Sequence, residues 1–220
     1  MPTAGTAARH YWMRQQLKLY LVMGSINCTA APEQVLRQAI AGGITMFQYR
    51  EKGDGARTGQ AAAELARRLQ NICRQHSIPF IVNDDLELAL SLQADGIHVG
   101  QSDLPASLIR EQLGTDKIVG VSAHSLTEAS CAIAAGADYL GIGPIYPTRS
   151  KADAEPVRGT AVIEQLRHAG MTLPLVGIGG IDTSNAAAVV ESGADGVAVI
   201  SSIAGQSDPA AAATALARLV

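Results

Sequence analysis

Cysteine is scarce in this 220-residue chain: Cys28, Cys73 and Cys131 are odd in number and far apart, with no Cys-x-x-Cys pair. Neither a disulfide framework nor a structural zinc site is expected, and reduced, cytoplasmic thiols are the default. Positive charge is not in excess either, because 17 Lys and Arg face 20 Asp and Glu, a net charge of −3. That balance argues against a general grip on nucleic acid, although a local basic patch for a small anion is compatible with it. No apolar run reaches the ~18 residues of a membrane span. Residues 1–10 hold no apolar stretch of the kind a secretory signal needs. Neither nucleic acid nor membrane is therefore an expected partner, while a homo-oligomer is compatible with the sequence. A Gly-x-Gly-x-x-Gly after the first apolar run is also missing, which weakens a doubly wound dinucleotide fold. No Ser/His/Asp pattern requires a protein nucleophile.

Apolar residues are abundant. They make up 47% of the chain against 17% charged, enough for a large buried core. Residues 1–16 read as a loose or helical lead-in. From residue 17 to 220, short apolar runs alternate with helical spacing. Strands are expected at 17–23, 44–49, 79–82, 96–99, 117–121, 139–142, 174–178 and 196–200, each followed by a helix. Eight such units in this length are the arithmetic of an α/β fold, a single-domain (β/α)8 TIM barrel. An internal echo supports it: Ala94-Asp95-Gly96, Ala137-Asp138-Tyr139 and Ala194-Asp195-Gly196 each turn a small residue and an aspartate into an apolar strand. These aspartates are expected at the barrel bottom as turn residues.

Chemistry in such a barrel collects where strands end. The second run leads into Gln48, Arg50 and Lys52, and the third into Asn83 and Asp84. The fourth carries His98 and leads to Gln101 and Asp103, and the fifth leads into Ser122 and His124. The sixth enters Gly143-Pro144-Ile145-Tyr146-Pro147-Thr148-Arg149-Ser150-Lys151, a loop offering hydroxyls and cations to an anion. The seventh and eighth end in Gly179-Gly180 and in Ile200-Ser201-Ser202, where such barrels usually bind phosphate. Asp84 and Asp103 are hard oxygen ligands suited to Mg²⁺ shared with a substrate phosphate; alternatively, each caps the helix after it. Arg50, Lys52 and Lys151 place three cations around one mouth, or else Glu51 and Lys52 form a solvated pair. His98 reads as a barrel-layer or loop-packing histidine, and Tyr11 and Trp12 as anchors of the lead-in.

Several of these runs converge on one pattern. Gln48-Tyr49-Arg50-Glu51-Lys52, Val82-Asn83-Asp84-Asp85, His98-Val99-Gly100-Gln101-Ser102-Asp103, Gly120-Val121-Ser122-Ala123-His124, Gly141-Ile142-Gly143-Pro144 and Val176-Gly177-Ile178-Gly179-Gly180 together resemble the thiamine-phosphate synthase family, in order and over roughly 17–204. The resemblance implies a transferase that joins a pyrimidine diphosphate to a thiazole phosphate and releases pyrophosphate. It implies substrate contacts along the whole Gln48–Lys52 run, including Tyr49 and Glu51. The pyrimidine diphosphate would be held by Gln48, Arg50, Lys52, Asn83, Ser122 and Lys151, and Mg²⁺ by Asp84 and Asp103. The thiazole phosphate would be held by Thr148, Arg149, Ser150, Gly180, Ile200 and Ser201. On the same resemblance, Arg50, Lys52, Ser122 and Lys151 would form the catalytic set. One departure is visible: Thr-x-Thr-Lys is usual in the family, and Thr148-Arg149-Ser150-Lys151 stands here. Two rivals remain at this level. A thiazole tautomerase of the same superfamily should lack the paired aspartates and the full Gln-x-Arg-x-Lys run. A non-catalytic phosphate-ligand sensor would not need Asp84, Asp103 and Lys151 together.

Overall fold

The computed structural model describes residues 6–148, 150 and 156–220. Eight parallel strands close into a barrel in sequence order: β1 (Leu19–Met23), β2 (Met46–Tyr49), β3 (Phe80–Asn83), β4 (Gly96–Val99), β5 (Ile118–Ala123), β6 (Tyr139–Ile142), β7 (Leu175–Ile178) and β8 (Gly196–Val199). The last pairs with the first, Tyr20 opposite Ala198. The outer helices are α2 (Pro32–Ala41), α3 (Gly59–Gln75), α4 (Leu86–Ser91), α5 (Ala106–Leu113), α6 (Leu126–Ala134), α7 (Ala161–His168), α8 (Ala186–Glu191) and α10 (Pro209–Ala217), with α1 (Thr6–Gln16) preceding β1 and a short α9 (Ser201–Ala204) following β8. None of the described helices is long and apolar enough to cross a membrane.

Alternation along the strands separates two cores. Leu19, Leu21, Phe47, Tyr49, Phe80 and Val82 face the helices, whereas Tyr20, Val22, Met46, Ile81, Ile118, Tyr139, Val176 and Ala198 fill the barrel. Five strands start later than expected, β1 and β2 by two residues and β3, β5 and β7 by one. Pro79 and Pro174 have no N–H to give, yet their carbonyls accept from Phe47 and Leu140.

From residue 6 the lead-in is helical. Helix α1 plugs the barrel bottom, with Met13 fully buried beside Leu17 in the inner core and Trp12 packed against it. Tyr11, expected as an anchor, is 67% exposed instead. The three aspartates of the repeat act as the sequence suggests. Asp95, Asp138 and Asp195 each accept a backbone N–H at the start of the preceding strand, from Phe80, Val119 and Leu175, at 2.8 Å. Asp138 is further gripped by Arg110 and by Arg9 of α1, both at 2.7 Å. Asp195 is gripped by Arg167 at 2.8 Å and by Arg14 of α1 at 2.9 Å. The repeat thus stitches strand starts together and clasps the plug, which leaves the other end for chemistry.

Candidate active site

At the C-terminal strand ends, side chains from all but the first of the eight strand-to-helix segments surround one pocket of about 230 Å³. Arg50 and Lys52 enter it from the end of β2, although β2 stops at Tyr49. Arg50 stays in line because its N–H donates to the Met23 carbonyl at 3.0 Å, and only 7% of it is exposed. Lys52 places its ammonium 3.0 Å from the Asp84 carboxylate.

Two members of the Gln48–Lys52 run do not reach this pocket. Tyr49 points the other way by strand alternation, is buried under α3, and donates its hydroxyl to the Ala62 carbonyl at 2.8 Å. Glu51 is a staple between loops, accepting from the Ser25 N–H and the Arg57 N–H, both at 2.8 Å, and from the Ser25 hydroxyl. Neither side chain lines the pocket that the sequence expectation gives it. Gln48 points inward but sits one layer below the pocket, donating to the Tyr20 hydroxyl at 2.8 Å.

The capping alternative for the aspartates resolves by position. Asp85 caps α4, accepting from the Leu88 N–H at 2.9 Å. Its neighbour Asp84, in the left-handed region at φ 62°, turns into the pocket instead. Asp103 accepts from the Gly100 N–H at 2.7 Å and closes that turn, while Pro105 sits at the N-cap of α5. Burial and the nearby Asp103 carboxylate hold the Asp84 pKa above its ordinary value, against the pull of Lys52. Two hard oxygen ligands whose shared charge is penalised fit a divalent cation. Among the described residues no group of three His, Cys, Asp or Glu could hold a metal. Two carboxylates completed by substrate oxygens suit Mg²⁺ rather than an all-protein cage.

The far wall is made of hydroxyls and glycines. Thr148, Ser150, Gly179, Gly180, Ile200, Ser201 and Ser202 line it together. The Ser150 hydroxyl donates to Ser201 at 3.1 Å, and the Ser150 N–H donates to Thr148 at 3.2 Å, so the sixth loop meets the eighth strand end. Gly180, at φ 64°, must be glycine twice over: a Cβ there would stand 2.5 Å from the Pro147 carbonyl oxygen. Ser201 and Ser202 open α9 rather than sitting in a plain loop. Arg149 and Lys151 lie outside the described residues.

Asn83 and Ser122 complete the wall, with Ser122 inside β5, which ends two residues later than expected. Residues undervalued from sequence are His98, Gln101 and His124, which also line the pocket. His98 shares the inward parity of Ser122 across the β4–β5 register, a signal that alternation alone could have exposed. It stands 3.0 Å from the Ser122 hydroxyl. Its other nitrogen meets the Tyr139 hydroxyl rather than a carboxylate. Burial drives the Tyr139 pKa far upward, so that partner stays neutral and does not stabilise an imidazolium as a triad aspartate does.

A parallel barrel whose mouth sets cations and paired carboxylates opposite a hydroxyl–glycine cradle defines an enzyme for phosphorylated substrates. The particular family follows from comparison. Residues 19–203 match the family model of thiamine monophosphate synthase. The thiamine-phosphate synthase of Geobacillus kaustophilus is 56% identical over 208 residues, 94% of each chain. That of Bacillus velezensis is 54% identical over 201 residues, 91% of this chain and 89% of the relative. The structure of thiamine phosphate pyrophosphorylase from Pyrococcus furiosus superposes with a TM-score of 0.84 at 33% identity, covering 94% of this chain and 96% of that one. The chain belongs to the thiamine monophosphate synthase family and is a transferase of that kind.

Proposed function

We propose that this transferase joins 4-amino-2-methyl-5-(diphosphooxymethyl)pyrimidine to 4-methyl-5-(2-phosphoethyl)thiazole, giving thiamine phosphate and pyrophosphate. One observation carries the reading: a single pocket has two differently equipped walls. Arg50, Lys52, Asn83 and Ser122 face the diphosphate of the pyrimidine, joined by Lys151 on the sequence resemblance. Thr148, Ser150, Gly180, Ile200 and Ser201 face the thiazole phosphate, with Arg149 beside them in sequence. Asp84 and Asp103 would hold Mg²⁺, which when bound supplies Lewis-acid neutralisation of the diphosphate oxygens. The unpaired thiols, with Cys73 buried, support a cytoplasmic setting.

The residues suit a dissociative substitution. The bond between the pyrimidine methylene and the diphosphate oxygen breaks, and its electron pair leaves with pyrophosphate. Arg50 and Lys52 meet the negative charge that develops there. The electron-rich aminopyrimidine carries the methylene cation. The thiazole nitrogen then supplies the electron pair of the new carbon–nitrogen bond. Nothing in this sequence requires a protein nucleophile, so holding both partners in line is the main task.

The phosphate cradle is testable by itself. Each hydroxyl bonded to a charged phosphate contributes about 1.5–3 kcal/mol. Thr148→Ala with Ser201→Ala is expected to raise KM for the thiazole phosphate by roughly 10²- to 10⁴-fold, with the KM for the pyrimidine diphosphate nearly unchanged. Steady-state kinetics with each substrate varied in turn decides it. A rise confined to the pyrimidine side would reverse the placement of the two substrates.

A further inference from the structure

Below the pocket a row of polar side chains crosses the barrel where packing alone would call for branched apolar residues. Gln48 Nε2 donates to the Tyr20 hydroxyl at 2.8 Å. The Tyr20 and Tyr139 hydroxyls are 2.9 Å apart, and the Tyr139 hydroxyl is 2.9 Å from His98 Nδ1. His98 Nε2 lies 3.0 Å from the Ser122 hydroxyl. Tyr20 and Tyr139 are 1% and 0% exposed. Of the five, only His98 and Ser122 reach the pocket wall.

The room for this row is built into neighbouring strands. A Cβ on Gly120 would sit 2.2 Å from the Tyr139 ring and 2.5 Å from His98 Nδ1, and one on Gly141 would sit 3.0 Å from the His98 ring. Two backbone positions are thus stripped of side chains where the tyrosine meets the histidine. Among the described residues no buried side-chain nitrogen or oxygen lacks a hydrogen-bond partner. A fully satisfied buried network imposes one arrangement on its members.

The row also has a direction. An amide nitrogen only donates, so the Tyr20 oxygen accepts from Gln48 and its proton goes to the Tyr139 oxygen. The Tyr139 proton then goes to His98 Nδ1. In a row polarised this way the ring keeps its own proton on Nε2 and gives it to the Ser122 oxygen, which leaves the serine proton aimed away from the histidine. We propose that this row is a directional relay that fixes His98 as the Nε2–H tautomer and so presents Ser122 to the ligand as a hydrogen-bond donor. Tyr20, Tyr139 and His98 are then positioning residues. A donor is what a departing diphosphate oxygen needs as its charge grows. With the opposite polarity Ser122 would spend its proton on His98 and turn lone pairs toward the phosphate. The relay rests on the placement of Ser122 against the diphosphate.

The test joins ¹⁵N NMR of the His98 ring with kinetics. In the parent protein the expected spectrum shows a protonated Nε2 and a bare Nδ1. Tyr139→Phe removes the donor to Nδ1. The ring should then divide between tautomers, and kcat should fall by roughly 10- to 100-fold, on the scale of a misplaced reacting group, with both KM values little changed. Tyr20→Phe should shift both readouts the same way by less. A parent spectrum with the proton on Nδ1 overturns the relay, whether or not Tyr139→Phe folds. So does a folded Tyr139→Phe with parental kcat. Ser122→Ala separates the two ideas. Parental kcat there, with the proton on Nε2, would overturn the diphosphate placement of Ser122 while leaving the tautomer assignment standing. An impaired Ser122→Ala with the proton on Nδ1 overturns only the relay.

Discussion

Asp84→Asn combined with Asp103→Asn is expected to lower kcat/KM for thiamine phosphate formation by ~10³-fold, and added Mg²⁺ should not restore it. The magnitude follows from about 4 kcal/mol of Lewis-acid stabilisation lost from the leaving group. Asparagine is the informative replacement. It tolerates the left-handed backbone of residue 84, and its oxygen can still accept from the Gly100 N–H at residue 103. The fold should therefore survive. The folded environment raises the Asp84 pKa, so the fold binds that proton more tightly than the unfolded chain does, and stability from this group declines as pH rises through the raised value. Removing the charge lifts that penalty at neutral pH. The variant's melting temperature in chelator should therefore equal or exceed the parent's. Mg²⁺ with inorganic pyrophosphate should raise the parent's melting temperature but not the variant's. Full activity in the variant would remove the carboxylates from any metal role.

Arg50→Met should lower kcat by about 10²–10³-fold, the usual loss when one preorganised charge donor is taken from a developing anion. Methionine replaces the stem of a side chain that is only 7% exposed, so packing is largely kept while the charge goes. Arg50→Lys should recover only part of the loss, because an ammonium lacks the planar fork that grips two phosphate oxygens. Pre-steady-state measurement of pyrophosphate release distinguishes a slowed bond cleavage from weaker binding. Equal rates for Arg50→Lys and the parent would indicate that position 50 supplies only charge.

Much of the barrel was legible because period-two runs bounded by glycine and proline recur at regular spacing. The three aspartates were readable as bottom turns for the same reason. What was hidden depended on partners distant in sequence. Nothing local in residues 1–16 announces that Met13 seals the inner core, or that Arg9 and Arg14 reach aspartates more than a hundred residues away. The Gln48–Lys52 run looked like one binding unit. Strand alternation sends Tyr49 to α3, and the first loop claims Glu51. Neighbouring Asp84 and Asp85 carry the same side chain, and only the left-handed turn at residue 84 divides the pocket-facing position from the capping one. His98 was readable as a barrel-layer side chain. Its contact with Ser122 needed the β4–β5 register, which no single strand contains.

The central claim is that one pocket brings both phosphorylated partners together for a metal-assisted transfer. Pyrophosphate release by the purified protein tests it most directly, measured with each substrate alone and with both, in Mg²⁺ and in excess chelator. The account predicts stoichiometric pyrophosphate and thiamine phosphate only with both substrates and Mg²⁺. Equal release without the thiazole phosphate, or turnover unaffected by chelator, would contradict it.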